Sequence, residues 1–502
     1  MKANRRAGTR HSRFAVCDAR GMFGRWVFAL VALVSCSATD LEHRIDALVE
    51  SSPAAQQAFV GIHVVDASSG VTLYKRNEDR LFLPASNVKL LTTALVLDRL
   101  GSDYRMKTRV LRDDSGNLIL LGAGDPSLGG RTTPVRRNGV LPRSADVLEA
   151  LADQIVASGI TEVEGDIVGD DRAFVWDPYP ASWTHDDTLR DFGAPVSALA
   201  LNENTVGISI AAGVQGGDPA RLTVSPPFEY FTIDNRIVTV PRRGTTKIAL
   251  VRAGSTRQWR LEGSIALGDS VTEYLPVDDP ALFAASTLFD SLTRRGVAIR
   301  GVPKAHHRNE GEAYQVPAGS EIAAHVSPPL SEILKAMDKA SINLYAEILL
   351  REVGREKRNN GSTGAGLAEM VAYLREIGAA SSDLRIDDGS GLSRNDLLSP
   401  RLLTQVLVDQ HRKHGEAFVE LLPGGGEEGT LDRRLCCISE ERGVHAKTGT
   451  LARALALSGY AESKRNGRLA FAILVNDFSS SASEVRAWID KIVMAMLSES
   501  AR

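Results

Sequence analysis

Three short words, Ser86-Asn-Val-Lys89, Ser341-Ile-Asn343 and Lys447-Thr448-Gly449, lie far apart in this chain of 502 residues. If they act together, the fold must return twice to one place, across gaps of 255 and 106 positions. Each word also has its own local setting, so the site must join a helix start, a second helical segment and the edge of a sheet. Few architectures do that, and the long first gap demands that something be inserted between the parts.

The first word follows Pro84 and opens a helix over about 86–100, with apolar Val88, Leu91, Ala94, Leu95 and Val96 and a stop at Gly101. Residues three apart share a helix face, so Lys89 Nζ reaches Ser86 Oγ. A hydroxyl is a weak nucleophile until a base takes its proton, and a lysine is a base only when neutral. At its reference pKa, about 1 lysine in 2,500 is neutral at pH 7. Burial and a second nearby cation lower that pKa, and Lys447 is the candidate cation. The outward N–H of Ser86 at the helix start can stabilise a developing oxyanion.

Ser341-Ile-Asn343 falls in a run, about 330–353, that reads as helix. Its hydroxyl and amide suit a proton relay to a leaving amine and the orientation of a substrate carbonyl. Lys447-Thr448-Gly449 falls on a β-rich edge, where Lys447 and Thr448 suit a substrate carboxylate and the small Gly449 admits the substrate backbone. Thr450 offers a second backbone N–H to the oxyanion.

Around these words the chain reads as α+β: an antiparallel sheet flanked by helices, with large inserted domains. Phe59-Val-Gly-Ile-His-Val-Val and Val71-Thr-Leu-Tyr-Lys flank Asp66-Ala-Ser-Ser-Gly70 as a hairpin. A second hairpin pairs 457–461 with 469–475 after a strand at about 444–448. The catalytic core is assigned to 41–103 and 305–500, an inserted α/β subdomain to 104–195 and an inserted β-rich subdomain to 196–304.

Hydrophobic residues make up 43% and charged residues 24%, as in an ordinary globular protein. A net charge of -3 argues against nucleic acid as a partner, since a phosphate backbone is held by clustered excess cations. Residues 1–36 read as a signal peptide of lipoprotein type. Arg25 precedes the nine apolar residues 26–34, too short to span a bilayer, and Leu33-Val-Ser-Cys36 resembles a lipobox that would lipidate Cys36. Ser37 after it favours the outer membrane of a Gram-negative cell, so the expected location is periplasmic and lipid-anchored. Met22 is an alternative start.

Other features carry less. Gly424–Gly429 fits GxGxxG but follows a helix and Leu-Pro rather than a strand, so no cofactor is expected there. His306-His307 and His411-Arg-Lys-His414 have no carboxylate partner at metal-site spacing, so no metal is expected. Cys436-Cys437 are read as two ordinary thiols, because adjacent cysteines close only a strained ring. His445 shares a strand face with Lys447, but Lys89 already supplies a base.

Taken together, the chain resembles the low-molecular-mass class C penicillin-binding proteins, the D-alanyl-D-alanine carboxypeptidase/endopeptidase family. Beyond the three words, the likeness includes Gly124-Asp-Pro-Ser-Leu128, Gly193-Ala-Pro-Val-Ser-Ala198, Asn202-Glu-Asn204, Asp388-Gly-Ser-Gly-Leu-Ser-Arg394, and Leu422-Pro423 with Gly429-Thr-Leu431. The resemblance implies a transpeptidase/β-lactamase-like domain that cleaves D-Ala-D-Ala ends or D-Ala cross-links of peptidoglycan peptides through an acyl-enzyme. It also implies β-lactams as inhibitors. The roles implied are Ser86 as nucleophile, Lys89 as base, Ser341 as relay, Asn343 on substrate, and Lys447 and Thr448 on the terminal carboxylate. Two other readings are a catalytically silent, lipid-anchored wall-binding protein, which the intact words oppose, and a β-lactamase, which the long insertion disfavours.

Overall fold

Near-continuous apolar runs in Ala454–Ser463 and Gly467–Asn476 mark strands covered on both faces. In the computed structural model they lie inside a five-stranded antiparallel sheet ordered Val444–Leu451, Ala454–Ser463, Gly467–Asn476, Phe59–Asp66, Thr72–Arg76. The structure describes residues 40–129, 145–252, 254, 256–427, 429–436, 443–463 and 467–497, so the leader with Cys36, and Cys437, lie outside the described residues. On one face Pro400–His414 packs on the sheet, Val88–Leu100 packs beside it and Asn343–Arg358 packs on Val88–Leu100, in one apolar cluster that holds Leu91, Leu95, Leu349 and Val406 with Ala456, Ala472 and Leu474 of the sheet. On the other, Leu41 and Ile45 of a helix at 40–50 join Trp488 and Ile492 of Ala482–Leu497 over Ile62 and Ile473. Helices on both faces of an antiparallel sheet are the α+β arrangement expected from the sequence.

The strand Val444–Leu451 is an edge of this sheet, with Lys447 opposite Ser458 and Gly449 opposite Ala456. Its outer side is marked by two bonds: Ala446 N–H donates to Pro423 O at 2.9 Å, and Val444 O accepts from Gly425 N–H at 2.9 Å. Alternation along an antiparallel strand then aims the N–H groups of Thr448 and Thr450 to that same outer side.

The inserted region is organised differently from the sequence assignment. One mixed sheet is ordered Pro303–His306, Ile167–Asp170, Leu118–Leu121, Lys107–Arg112, Ser320–Val326. Its last strand pairs antiparallel with Lys107–Arg112, so the insert runs past the boundary set at 304. The helix Pro280–Arg294, assigned to the β-rich part, instead packs beside Ala145–Ala157 over Leu118, Leu120 and Ile167 of this sheet. These corrections share one cause, since contacts between segments far apart in the chain leave no local mark in the sequence. The remaining β-rich part, between 205 and 276, forms two three-stranded sheets around Ile208, Ile210, Trp259 and Leu261.

The run expected as one helix over 330–353 is two, Leu330–Ala340 and Asn343–Arg358. Ser341 sits between them in the left-handed region, φ 59° and ψ 44°. Ile342 N–H closes on Met337 O at 3.0 Å, and both side chains are buried, the pattern of a Schellman stop built with serine in place of glycine.

Candidate active site

Ser86 lies in a 3-10 turn, Ala85–Asn87, that runs directly into the Val88–Leu100 helix. The turn is held from two sides. Gly391 comes so close that a Cβ there would lie 1.9 Å from Ala85 O, and a Cβ on Gly449 would lie 2.6 Å from Pro84 O. Gly449 is therefore needed for the packing of the serine turn on the edge strand, a different use from the substrate approach expected of it. Ala85, pinned between them, takes φ 48°, a strained value for a residue with a Cβ.

Lys89 is fully buried. Its Nζ contacts Asn343 Oδ1 at 2.6 Å, Ser390 O at 2.7 Å and Ser86 Oγ at 3.1 Å. The two carbonyl oxygens occupy two N–H groups, which leaves the third tetrahedral position facing the serine. That position donates when the amine is charged and is a lone pair when it is neutral, as a base requires. Burial lowers the pKa to about 8, against the opposing pull of Asp388, Glu347, Asp338 and Asp396. Of the two expected causes, burial and a second cation at Lys447, burial is the one that acts on Lys89, and the surrounding carboxylates moderate it.

Lys447 is equally buried, and its Nζ donates to Ser341 Oγ at 2.8 Å and Thr448 O at 3.0 Å. Burial and the charge of Lys89 lower it to about 7, with Asp338 opposing. The left-handed turn at Ser341 makes this contact possible, because a continuous helix would carry its hydroxyl onward. Thr448 Oγ1 bonds Thr430 Oγ1 at 2.9 Å. Asn343 is fully engaged: Oδ1 takes Lys89, and Nδ2 donates to Phe192 O of the insert at 2.9 Å. Its place is beside the lysine, holding it, and an exposed Phe192 stands on the same turn, Asp191–Gly193.

The structure thus brings Ser86, Lys89, Ser341, Asn343 and Lys447 into one hydrogen-bonded set, with Thr448, Gly449 and Thr450 on the adjoining strand edge. Residues without an assigned role in the sequence complete it. Buried Asp388 accepts Gly391 N–H at 2.6 Å, Ser393 N–H at 2.8 Å, Ser390 N–H at 3.1 Å and Trp183 Nε1–H at 2.9 Å. Those bonds fold the 388–394 loop so that Ser390 O meets Lys89 and Gly391 meets the serine turn. Behind the loop, burial raises Glu347 to about 8 and Asp396 well above the carboxylate range. Arg394 at the end of the loop pairs with Asp187 of the insert, Nη2 to Oδ1 at 3.0 Å. Arg351, fully buried, holds the insert to the core through Asp177 O at 2.5 Å. The spacing Asp-Gly-Ser-Gly signals a tight loop, but nothing in it announces which distant groups the loop supports. No cluster of three His, Cys, Asp or Glu suited to a metal ion occurs among the described residues.

A buried lysine hydrogen-bonded to a serine on a helix start, beside an antiparallel sheet edge, suits a serine-type peptidase, and comparison with known proteins gives that class. The model of the D-Ala-D-Ala carboxypeptidase 3 (S13) family matches residues 41–496. The D-alanyl-D-alanine carboxypeptidase of Actinomadura sp. (strain R39) is 32% identical over 468 residues, 88% of this chain and 82% of that protein. The D-alanyl-D-alanine carboxypeptidase DacB of Haemophilus influenzae is 24% identical over 424 residues, 80% of this chain and 82% of the relative. The crystal structure of penicillin binding protein 4 (dacB) from Haemophilus influenzae has the same fold, with a TM-score of 0.74 at 23% identity, covering 89% of this chain and 97% of that one. The chain belongs to the D-Ala-D-Ala carboxypeptidase 3 (S13) family.

Proposed function

We propose that this protein is a serine D,D-peptidase that cleaves the bond after the penultimate D-Ala of peptidoglycan stem peptides through an acyl-enzyme on Ser86. The observation that carries the reading is the Lys89 geometry: two N–H groups spent on carbonyls, the third position on Ser86 Oγ at 3.1 Å. Neutral Lys89 takes the hydroxyl proton as Oγ attacks the carbonyl carbon. The N–H groups of Ser86 and Thr450 meet the oxyanion, and Lys447 with Thr448 holds the terminal carboxylate. Ser341, on Lys447 Nζ, passes a proton to the departing amine, and water then hydrolyses the ester. Terminal trimming and cross-link cleavage differ only in the amine that leaves, so both belong to the same chemistry.

Digestion of defined muropeptides with mass identification of the products is the test. Release of D-Ala from pentapeptides, or conversion of cross-linked dimers to monomers, supports the proposal. Intact substrates with a folded protein refute it. We also propose that the segment 1–36 exports the chain and that Cys36 anchors it to the outer membrane, on the strength of the lipobox-like Leu33-Val-Ser-Cys36. Cys36→Ala should move the protein to the soluble periplasmic fraction; unchanged membrane fractionation counts against the anchor.

A further inference from the structure

One buried acid is not used by the mechanism above. Asp338 is on the Leu330–Ala340 helix, one turn before Ser341, and is fully buried. Its Oδ2 accepts from Thr93 Oγ1 at 2.7 Å, and its Oδ1 has no hydrogen-bond partner. Thr93 lies four residues after Lys89 on the Val88–Leu100 helix, and therefore on the same face. Ser341, three residues after Asp338, receives Lys447 Nζ at 2.8 Å. The carboxylate is thus bonded to the helix that carries Lys89 and stands one turn before the hydroxyl that receives Lys447. A desolvated carboxyl oxygen with no donor is costly unless a nearby cation compensates it.

We propose that Asp338 is a positioning residue that governs the shared charge of Lys89 and Lys447, keeping one of the two protonated while the other works as a base. The inference rests on the acyl-enzyme reading above and adds to it the control of its protonation state. The facing groups are consistent with this. Asp338 meets Lys89 and Thr93 from the 88–100 helix and Lys447 from the edge strand, while Lys89 also meets Glu347 from the 343–358 helix and Asp388 and Asp396 from the 387–396 loop. Among the described residues, Lys447 is influenced by Lys89 and Asp338 alone, so Asp338 is the acid there that acts on both lysines. Burial raises Asp338 to about 7, against the pull of Lys447 and Lys89, so its charge is tied to theirs.

The sign follows from Coulomb's law. Removing a negative charge disfavours the ammonium form of both lysines, so both pKa values fall. Neutral Lys89 then appears at lower pH, and charged Lys447 is lost at lower pH. The test is the rate of β-lactam acylation against pH, with KM and kcat for a D-Ala-D-Ala peptide, in wild type, Asp338→Asn and Thr93→Val. Asp338→Asn should move the acid limb of acylation down by about one pH unit, about tenfold in rate on that limb, and raise KM in the alkaline range. Thr93→Val removes the donor that favours the ionised carboxylate, so its limb should move the same way by less.

A folded Asp338→Asn with an unmoved or upward-moved acid limb overturns the proposal. If Asp338→Asn does not fold, Thr93→Val decides by the same criterion. A wild type that acylates with a pH-dependent rate while the variants leave its profile unchanged defeats this inference alone. A wild type that never acylates defeats the acyl-enzyme reading beneath it.

Discussion

The back of the cleft and its edge each bury one lysine completely, yet the two are built to different ends. Lys89 is enclosed by fixed carbonyls, Asn343 Oδ1 and Ser390 O, with four carboxyl groups behind it. Among the described residues Lys447 has a hydroxyl, one strand carbonyl and a single influential acid, and it lies on the edge strand just beyond the part that the 423–425 loop pairs with. The first arrangement fixes a nitrogen in direction and tunes when it loses its proton. The second is an amine whose lowered pKa an arriving carboxylate would raise, so that on the proposed mechanism it binds that carboxylate as an ammonium. On the proposed mechanism the same residue type serves as a base in one place and as an anchor in the other, according to how many acceptors already surround it.

The largest effect should come from Lys89→Arg. A guanidinium stays protonated at any working pH, so acylation should fall about 10³- to 10⁴-fold while a folded protein remains by circular dichroism. An arginine at that position acylating like wild type would erase the distinction between the two lysines. Lys447→Ala should fall next, through substrate binding: about 10- to 100-fold in KM for the carboxylated peptide, the worth of a charge-assisted hydrogen bond. If kcat rather than KM carries the loss, Lys447 is acting in the chemistry and the comparison must be redrawn. Gly449→Ala should be smaller still. Its Cβ would press on Pro84 O, forcing the serine turn off the strand at a cost of about 1–3 kcal/mol, read as a lowered thermal midpoint together with slower acylation. A lowered midpoint with unchanged acylation would mean the turn tolerates the shift.

Much of this contrast was legible in the sequence, and the reasons it was only partly so are physical. Ser86 and Lys89 could be paired because spacing on one helix is a local property, and Lys447 could be placed on a strand edge because the apolar runs of the hairpin that follows mark the strands beside it. The break at Ser341 could not, since Lys-Ala-Ser-Ile-Asn-Leu contains neither glycine nor proline, and the left-handed serine is held by the packing of Met337 and Ile342. Gly449 was seen as a small residue, but the neighbour that requires its smallness, Pro84 O, is 365 positions away. The engagement of Asn343 by Phe192 O, and the organisation of the 388–394 loop by Asp388, likewise depend on contacts between distant segments. The strand Ser320–Val326 joined the insert for the same reason: pairing, not composition, decides sheet membership.

The most direct measurement follows a β-lactam adduct by intact mass and peptide mapping as a function of pH. The account predicts one adduct, on Ser86, forming at a rate that rises with pH and levels off above an apparent pKa near the value of about 8 set by the burial of Lys89. The sign is that of a base: a lowered lysine pKa brings the active, neutral form into reach at lower pH, and the rate is lost as pH falls through it. No adduct, an adduct on another residue, or a rate still climbing through the pKa of an ordinary solvated lysine would contradict it.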